Sequence, residues 1–389
     1  MINFENPKLI ECIQGINPPD DNAMEEARER QNYLAKVPGS LGSLEDISIR
    51  LAGITGKTVG NDVSNQAIIL MCADNGVVEE GVASAPQSVT LMQTVNFTKG
   101  ITGVSSQAKY FGIDLLVVDV GVKLPIPSEH YTDQMIPGKN KVVNRRIAKG
   151  TRNLAKEPAM TKAEAEEAIS IGIEAADACV KNGKTLIGIG EMGIGNTTTA
   201  SAIITALLME KESQDIEALV EKIVGRGGGL NDEGLSKKRR VIKDAVEKYR
   251  GSCADSRNPI DLLCNLGGFD IAAMVGAYLG AAANKTPVVI DGLISIAAAL
   301  VAREICPETK AYMFCSHKSK EGGYALASDL LGLEPMYDLG MRLGEGSGCP
   351  IAFKIIEAAV AVMNNMKTLD EAQIDSGYLD EFREDGQFQ

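Results

Sequence analysis

The sequence predicts an α/β protein built on a parallel sheet flanked by helices. Two observations carry that expectation. Five runs of four to seven residues are almost entirely apolar and end in Gly, Asp, Asn or Ser: residues 67–73, 114–120, 185–189, 287–290 and 311–315. Such runs suit strands covered on both faces. Between them lie Ala-rich stretches of helix length, residues 162–180, 197–210, 269–283 and 294–305. Strand, polar loop and helix in alternation is the signature of a parallel sheet.

Taken in order, the first sixty residues read as helical. Asp20, Asp21 and Asn22 can cap a helix over 23–36 that Pro38 and Gly39 stop, and a shorter helix over 44–51 ends before a turn region from Gly53 to Gly60. The strand at 67–73 opens onto Asp74-Asn75-Gly76, and the strand at 114–120 onto Gly121. Residues 124–158, rich in Pro, Lys and Arg, read as a long surface excursion. The strand at 185–189 leads through glycines into the helix at 197–210, and the strand at 287–290 leads through Asp291-Gly292 into the helix at 294–305. A last apolar helix covers 350–366, and the acidic tail after Thr368 is expected to be mobile. Ligands of open parallel sheets bind beyond the carboxyl ends of the strands. The loops starting at Asp74, Gly188, Asp291 and Ser316 should therefore converge on one site.

Composition narrows the function. A length of 389 residues suggests two to three domains, or one large domain with an appendage. The 39 basic against 52 acidic side chains give a net charge of −13, which argues against a nucleic-acid partner. Forty glycines in 389 residues exceed the ~7 % of ordinary usage and point to backbone that must approach something closely. The eight cysteines include no C-x-x-C pair and read as small buried hydrophobes of a reducing compartment. Two histidines, His130 and His317, leave little for a His-rich metal site or a Ser-His-Asp triad, so neither metal nor cofactor is expected. The start MINFENPKLIECIQG lacks the basic stretch and apolar core of a signal peptide, and no apolar run approaches the ~20 residues that span a bilayer. The expectation is a cytoplasmic protein with no membrane partner.

Three glycine loops carry the chemistry. Gly188-Ile189-Gly190-Glu191-Met192-Gly193 matches G-x-G-x-x-G, which would suit an NAD-dependent oxidoreductase. Against that, Glu191 would oppose a pyrophosphate, and no acidic ribose ligand ends a second strand about twenty residues on. Gly193-Ile194-Gly195-Asn196-Thr197-Thr198-Thr199 offers amides and hydroxyls at a helix start, while Glu191 can accept from sugar hydroxyls; one phosphate and one ribose make a mononucleotide. Ordinary helix caps would read the same way. Gly225-Arg226-Gly227-Gly228-Gly229, followed by Lys237-Lys238-Arg239-Arg240, forms either a phosphate cradle or a turn before a solvated helix face. In Leu343-Gly344-Glu345-Gly346-Ser347-Gly348, small neighbours leave the Glu345 carboxylate accessible at a helix start. There it can take a proton from a nucleophile or simply compensate the helix dipole.

These loops together resemble the nicotinate-nucleotide–dimethylbenzimidazole phosphoribosyltransferase family, which makes the lower-ligand nucleotide of cobamides such as vitamin B12. The resemblance runs from about Leu41 to Met366 and rests on CADNGVVEEGV, VVDVGV, GIGEMGIGNTTTASAI, VGRGGGLNDEGLSKKR, GGFDIAAMVGAYLGAA, VVIDGLISIAAAL, SHKSKEGG and LGMRLGEGSG. It implies a Rossmann-like parallel sheet over residues 66–350, with a small helical domain from both chain ends, 1–65 plus 351–389. It implies transfer of phosphoribose from nicotinate mononucleotide to an aromatic base, with release of nicotinate. By the same resemblance Glu345 is the general base, and Glu191, Gly193, Gly225, Gly227, Lys238 and Ser319 hold the nucleotide. A pyridinium leaves as a neutral ring, so the acceptor needs a base and the leaving group needs no acid.

The acceptor pocket implied by the resemblance lies at Asn75, Ala85, Met92 and Leu343, and here the sequence departs from the family. Asn75 stands for the histidine of A-D-H-G, and Ala85 for the tyrosine of S-A-Y-P. Leu91 or Met92, with Gln93 next, stands where a glutamine follows Thr90, and Tyr324 replaces the histidine of E-P-G-H. Loss of polar groups points toward a phenol or p-cresol acceptor as an alternative to dimethylbenzimidazole. Family members that use phenols pair two related chains, so either a homodimer or a heterodimer is implied. A third reading, a supporting subunit of a related active chain, has little use for Glu345.

Overall fold

The computed structural model describes residues 4–211, 215–252, 258–375 and 377. Eight strands form one sheet: β1 (Gln66–Ala73), β2 (Asp114–Gly121), β3 (Tyr131–Thr132), β4 (Val142–Asn144), β5 (Leu186–Met192), β6 (Val288–Ile290), β7 (Met313–His317) and β8 (Pro335–Tyr337). Their order is β3-β4-β2-β1-β5-β6-β7-β8, with every neighbouring pair parallel. The five apolar runs of the sequence are its five core strands, and all eight residues of β1 are buried.

The helices are α1 (Pro7–Gly15), α2 (Asp21–Tyr33), α3 (Ser43–Thr55), α4 (Ser88–Lys99), α5 (Gly103–Phe111), α6 (Lys162–Lys181), α7 (Asn196–Lys211) and α8 (Ile216–Ile223), followed by α9 (Asp232–Ser252), α10 (Pro259–Leu266), α11 (Phe269–Ala283), α12 (Leu293–Ile305), α13 (Gly323–Leu331) and α14 (Cys349–Asn365). Strand alternation sets the layers. Ile68 and Leu70 of β1 lie against Gly346 at the entrance to α14, whereas Ala73 lies beside Phe269 of α11. The start of α14 and helix α11 thus cover opposite faces. Both chain ends meet in a small apolar cluster of Ala23, Ala27, Ile49, Ala52 and Met363, and Arg30 Nε donates to the Met363 carbonyl at 3.2 Å.

Several expectations need correction. Residues 124–158 are not only a surface excursion, because they contribute β3 and β4 to one edge of the sheet. Val142 and Val143 are fully buried there, and the Tyr131 hydroxyl donates to Asp119. Helix α2 stops at Tyr33, short of Lys36, since Leu34 turns extended and bridges to Thr368. Helix α3 continues through Gly53, whose missing side chain admits Met24. In the G-x-G-x-x-G motif Gly188 and Gly190 lie inside β5, where a Cβ would strike Cys349 and the Gly346 backbone. They make room for the chain segment entering α14 rather than for a pyrophosphate. Cys253 and the tail beyond residue 377 lie outside the described residues; the seven described cysteines are buried and free. Among the described residues no helix is long and apolar enough to cross a membrane.

Candidate active site

The loops leaving β1, β5, β6 and β7 converge at the carboxyl edge of the sheet, under the segment that carries Glu345. Asp74, just past β1, accepts from Thr90 Oγ1 (2.7 Å) and from the Lys123 amide (2.8 Å). Thr90 Oγ1 accepts from the Ile194 amide at 3.1 Å. One buried carboxylate therefore ties α4, the segment after β2 and the glycine loop after β5 into a rigid floor.

Two adjoining cavities open above it. The first, about 260 Å³, is walled by Ser84, Ala85, Gln93, Glu191, Gly193 and Glu345, with others. The second, about 480 Å³, is walled by Gly292, Ser319, Glu321 and Arg342, with others. Thr197, Gly227, Gly228, Ile294 and Leu343 border both, so one ligand can straddle the two.

Glu345 sits at φ +62° between Gly344 and Gly346 and is only 6 % exposed. Its carboxylate accepts from Gln93 Nε2 (3.1 Å) and from the Val104 amide (3.5 Å). Burial raises its pKa against these donors, which prepares a carboxylate to take up a proton. Glu191 lies beneath the same loop: its Oε1 accepts the Glu345 amide at 3.4 Å, and its other oxygen accepts from Asn196. Burial, with Asp270 and Asp291 nearby, pushes Glu191 up to about 8. A neutral or half-charged carboxyl at a cavity wall both donates and accepts, which suits the vicinal hydroxyls of a sugar.

Lys238 is one of four consecutive basic residues, but it alone is fully buried, 1 % exposed. Its Nζ donates to Thr197 Oγ1 (2.8 Å) and to the Gly225 carbonyl (3.2 Å), directly behind Gly227. Burial pulls its pKa down to about 8, with Glu321 acting against the shift. Ser319 Oγ lies within van der Waals reach of a Cβ placed at Gly292. An anion over Gly227 would meet glycine amides, the Ser319 hydroxyl and a lysine one layer deeper.

The candidates fall into three groups. Glu345, Glu191, Gly193, Gly227, Ser319, Ala85 and Leu343 line the cavities. Gly225 and Lys238 stand behind the wall, and Asn75 is buried under Gly193 and Gly195. Met92, 52 % exposed, is not among the lining residues of either cavity. Gln93 takes that place and grips Glu345, so the glutamine that the family resemblance counted as lost is present one residue later. Helix phase could have found it: Thr90, Thr94 and Phe97 are the buried residues of α4 beside Val95, and Gln93 lies one residue before Thr94 and three after Thr90. Tyr324 is buried beneath the site and lines neither cavity. Asn196 and Thr197, from the glycine loop after β5, line the cavities as well, and Arg342 is a further lining residue that sequence reasoning missed.

A parallel sheet whose carboxyl edge carries a mononucleotide-sized pair of cavities and a buried carboxylate fits a phosphoribosyl-transferring class of enzyme. The family described as Phosphoribosyltransferase matches residues 16–374, and the chain belongs to that family. The chain is 49 % identical over 377 residues to the nicotinate-nucleotide–dimethylbenzimidazole phosphoribosyltransferase of Clostridium perfringens, covering 97 % of this chain and 98 % of that protein. With the Clostridium tetani protein of the same name the identity is 43 % over equal shares. The crystal structure of that enzyme from Thermus thermophilus superposes with a TM-score of 0.81 at 34 % identity, covering 92 % of this chain and 99 % of that one.

Proposed function

We propose that this protein transfers phosphoribose from nicotinate mononucleotide to 5,6-dimethylbenzimidazole, the lower-ligand base of a cobamide, and releases nicotinate. The ring nitrogen of the acceptor attacks the anomeric carbon as the pyridinium–carbon bond breaks. The bonding electrons return to nicotinate, which leaves as a neutral ring. The second ring nitrogen of the acceptor gives its proton to Glu345. The observation that carries this reading is the seat of Glu345: a buried carboxylate in the base-sized cavity, oriented by Gln93 and by the Val104 amide. Ribose hydroxyls fall to Glu191, and the phosphate to the amides around Gly227, to Ser319 and to Lys238. Gln93 retains a polar group on the acceptor side, which favours dimethylbenzimidazole over a phenol. The reading includes a cytoplasmic enzyme working as a pair of chains, whose composition sedimentation with and without a related chain would establish.

The test is nicotinate release, followed by chromatography, from nicotinate mononucleotide with dimethylbenzimidazole and a panel of phenols. Glu345→Gln should lower the rate by about 10²–10⁴, the usual worth of a general base, while nucleotide affinity holds. A variant within a few-fold of wild type would remove Glu345 from the mechanism. A kcat/KM higher for phenol than for dimethylbenzimidazole would reverse the acceptor assignment.

A further inference from the structure

The segment that presents Glu345 has an unusual backbone. Gly344, Glu345 and Gly346 lie in sequence at φ +82°, +62° and +77°. Two of these are glycines and adopt that region freely, but Glu345 does so against its own Cβ. A non-glycine residue persists there only when its surroundings over-determine it. Left alone, residue 345 would relax to negative φ and swing its side chain away from the cavity.

Asp291 supplies the constraint. It directly follows β6, one residue before the N-cap of α12, and is 1 % exposed. One carboxylate oxygen accepts the Gly346 amide at 2.9 Å and the other accepts the Gly348 amide at 2.7 Å. The two amides lie one and three residues beyond Glu345, so a single carboxylate clamps the chain where the left-handed run ends. The clamp leaves no slack. A Cβ at Gly348 would come to 2.8 Å from Asp291 Oδ1, and one at Gly190 to 2.5 Å from the Gly346 nitrogen. Asp291 lines neither cavity, and the hydrogen bonds of its carboxylate go to the loop and to its own helix start.

We propose that Asp291 is a positioning residue for the transfer reaction, fixing the Glu345 carboxylate through the backbone of its loop. The inference rests on the reading of Glu345 as the base. It adds that the orientation of the base is set from beneath by a second acid that never meets substrate. Misplacement of a reacting group by about 1 Å can cost 10²-fold in rate, which is the size of effect expected here.

The experiment is a double-variant cycle on the full chain, with Asp291→Asn, Glu345→Gln and the pair, each read for kcat, KM for nicotinate mononucleotide and nucleotide affinity. Asparagine keeps the shape but can accept both amides only through a single oxygen. Asp291→Asn should lower kcat about 10²-fold with KM and nucleotide affinity within about threefold, and should lower the residual rate of Glu345→Gln no further. Multiplying losses in the pair, or a loss of nucleotide affinity in step with kcat, would show that Asp291 serves the fold rather than the base and would overturn the proposal. So would wild-type kcat in Asp291→Asn. An unchanged rate in Glu345→Gln alone would instead sink the reading of the base, which keeps the two failures apart. If Asp291→Asn does not fold, Asp291→Ser, whose hydroxyl can hold one amide, is measured in the same cycle against the same outcomes.

Discussion

Lys238 shows how far a residue's role can depend on one turn of a helix. Its neighbours Lys237 and Arg240 are exposed, while its own ammonium is buried against Thr197 and the Gly225 carbonyl. Burial lowers its pKa to about 8 in the free protein, with Glu321 only partly offsetting the shift. A phosphate over Gly227 would restore the charged form. Binding of nicotinate mononucleotide should therefore take up a proton between pH 8 and 9, and its affinity should weaken as pH rises through that window. Titration calorimetry in two buffers of different ionisation enthalpy measures the uptake directly. Lys238→Ala should abolish it and weaken the nucleotide by roughly 1.5–3 kcal/mol, the usual size for a hydrogen bond to a charged group, while a riboside without phosphate is little affected. Equal losses for both ligands would mark the lysine as structural. The sequence made the basic run visible but not which of its members faces inward, since that depends on how α9 rolls against α7. The Met92–Gln93 pair poses the same problem, where an offset of one residue reverses which side chain enters the cavity.

At the scale of elements, the legible parts were those whose chemistry is uniform along their length. β1, β2 and β5 are apolar runs buried on both faces, and burial of that kind leaves a continuous signal. β3, β4 and β8, two or three residues each, are too short to carry any period, and Pro335 opens β8. The G-x-G-x-x-G motif, already weakened as a pyrophosphate site by Glu191, is ambiguous because the same lack of side chains serves two purposes. In β5 it admits another stretch of backbone, where the motif's usual reading has it admit a phosphate. The crossing of α6 over α11 uses glycine in the same way. A Cβ at Gly172 would overlap the Ala273 carbonyl, and one at Gly276 the Ile169 carbonyl. Neither glycine has positive φ, so the cost of a side chain there is steric. Overpacking a well-packed contact costs about 1–3 kcal/mol and occasionally more, and here the obstacle on each side is backbone, which yields least. Gly172→Ala and Gly276→Ala should each reduce stability by at least that amount in denaturant titration. Gly251→Ala in α9, where a Cβ meets nothing within 4 Å, is the control for the helix propensity that alanine itself adds, about 1 kcal/mol. Equal midpoints for all three would show that the helices can slide apart.

The whole molecule carries a net charge of −13, and part of its acidity is buried at the carboxyl edge of the sheet. Glu191 is pushed up to about 8, and Asp270 and Asp291 to about 7, in each case chiefly by burial. Each group therefore holds its proton in the folded protein at a pH where the unfolded chain has released it. Stability changes with pH in proportion to protons bound unfolded minus protons bound folded, and that difference is negative between the two pKa values. For Glu191 the window runs from its unperturbed 4.5 to about 8: the penalty is absent below it and grows as pH rises through it. Glu191→Gln cannot ionise and escapes the penalty, although it loses one acceptor for the Asn196 and Glu345 donors at every pH. The melting temperature of Glu191→Gln relative to wild type should thus climb steadily from pH 5 to pH 8, by about 1 °C for each kcal/mol relieved in a chain of this size. Scanning calorimetry of both proteins at four pH values across that range measures it. Two parallel curves would mean that Glu191 is ionised throughout, and its part in holding ribose would then be that of an acceptor only.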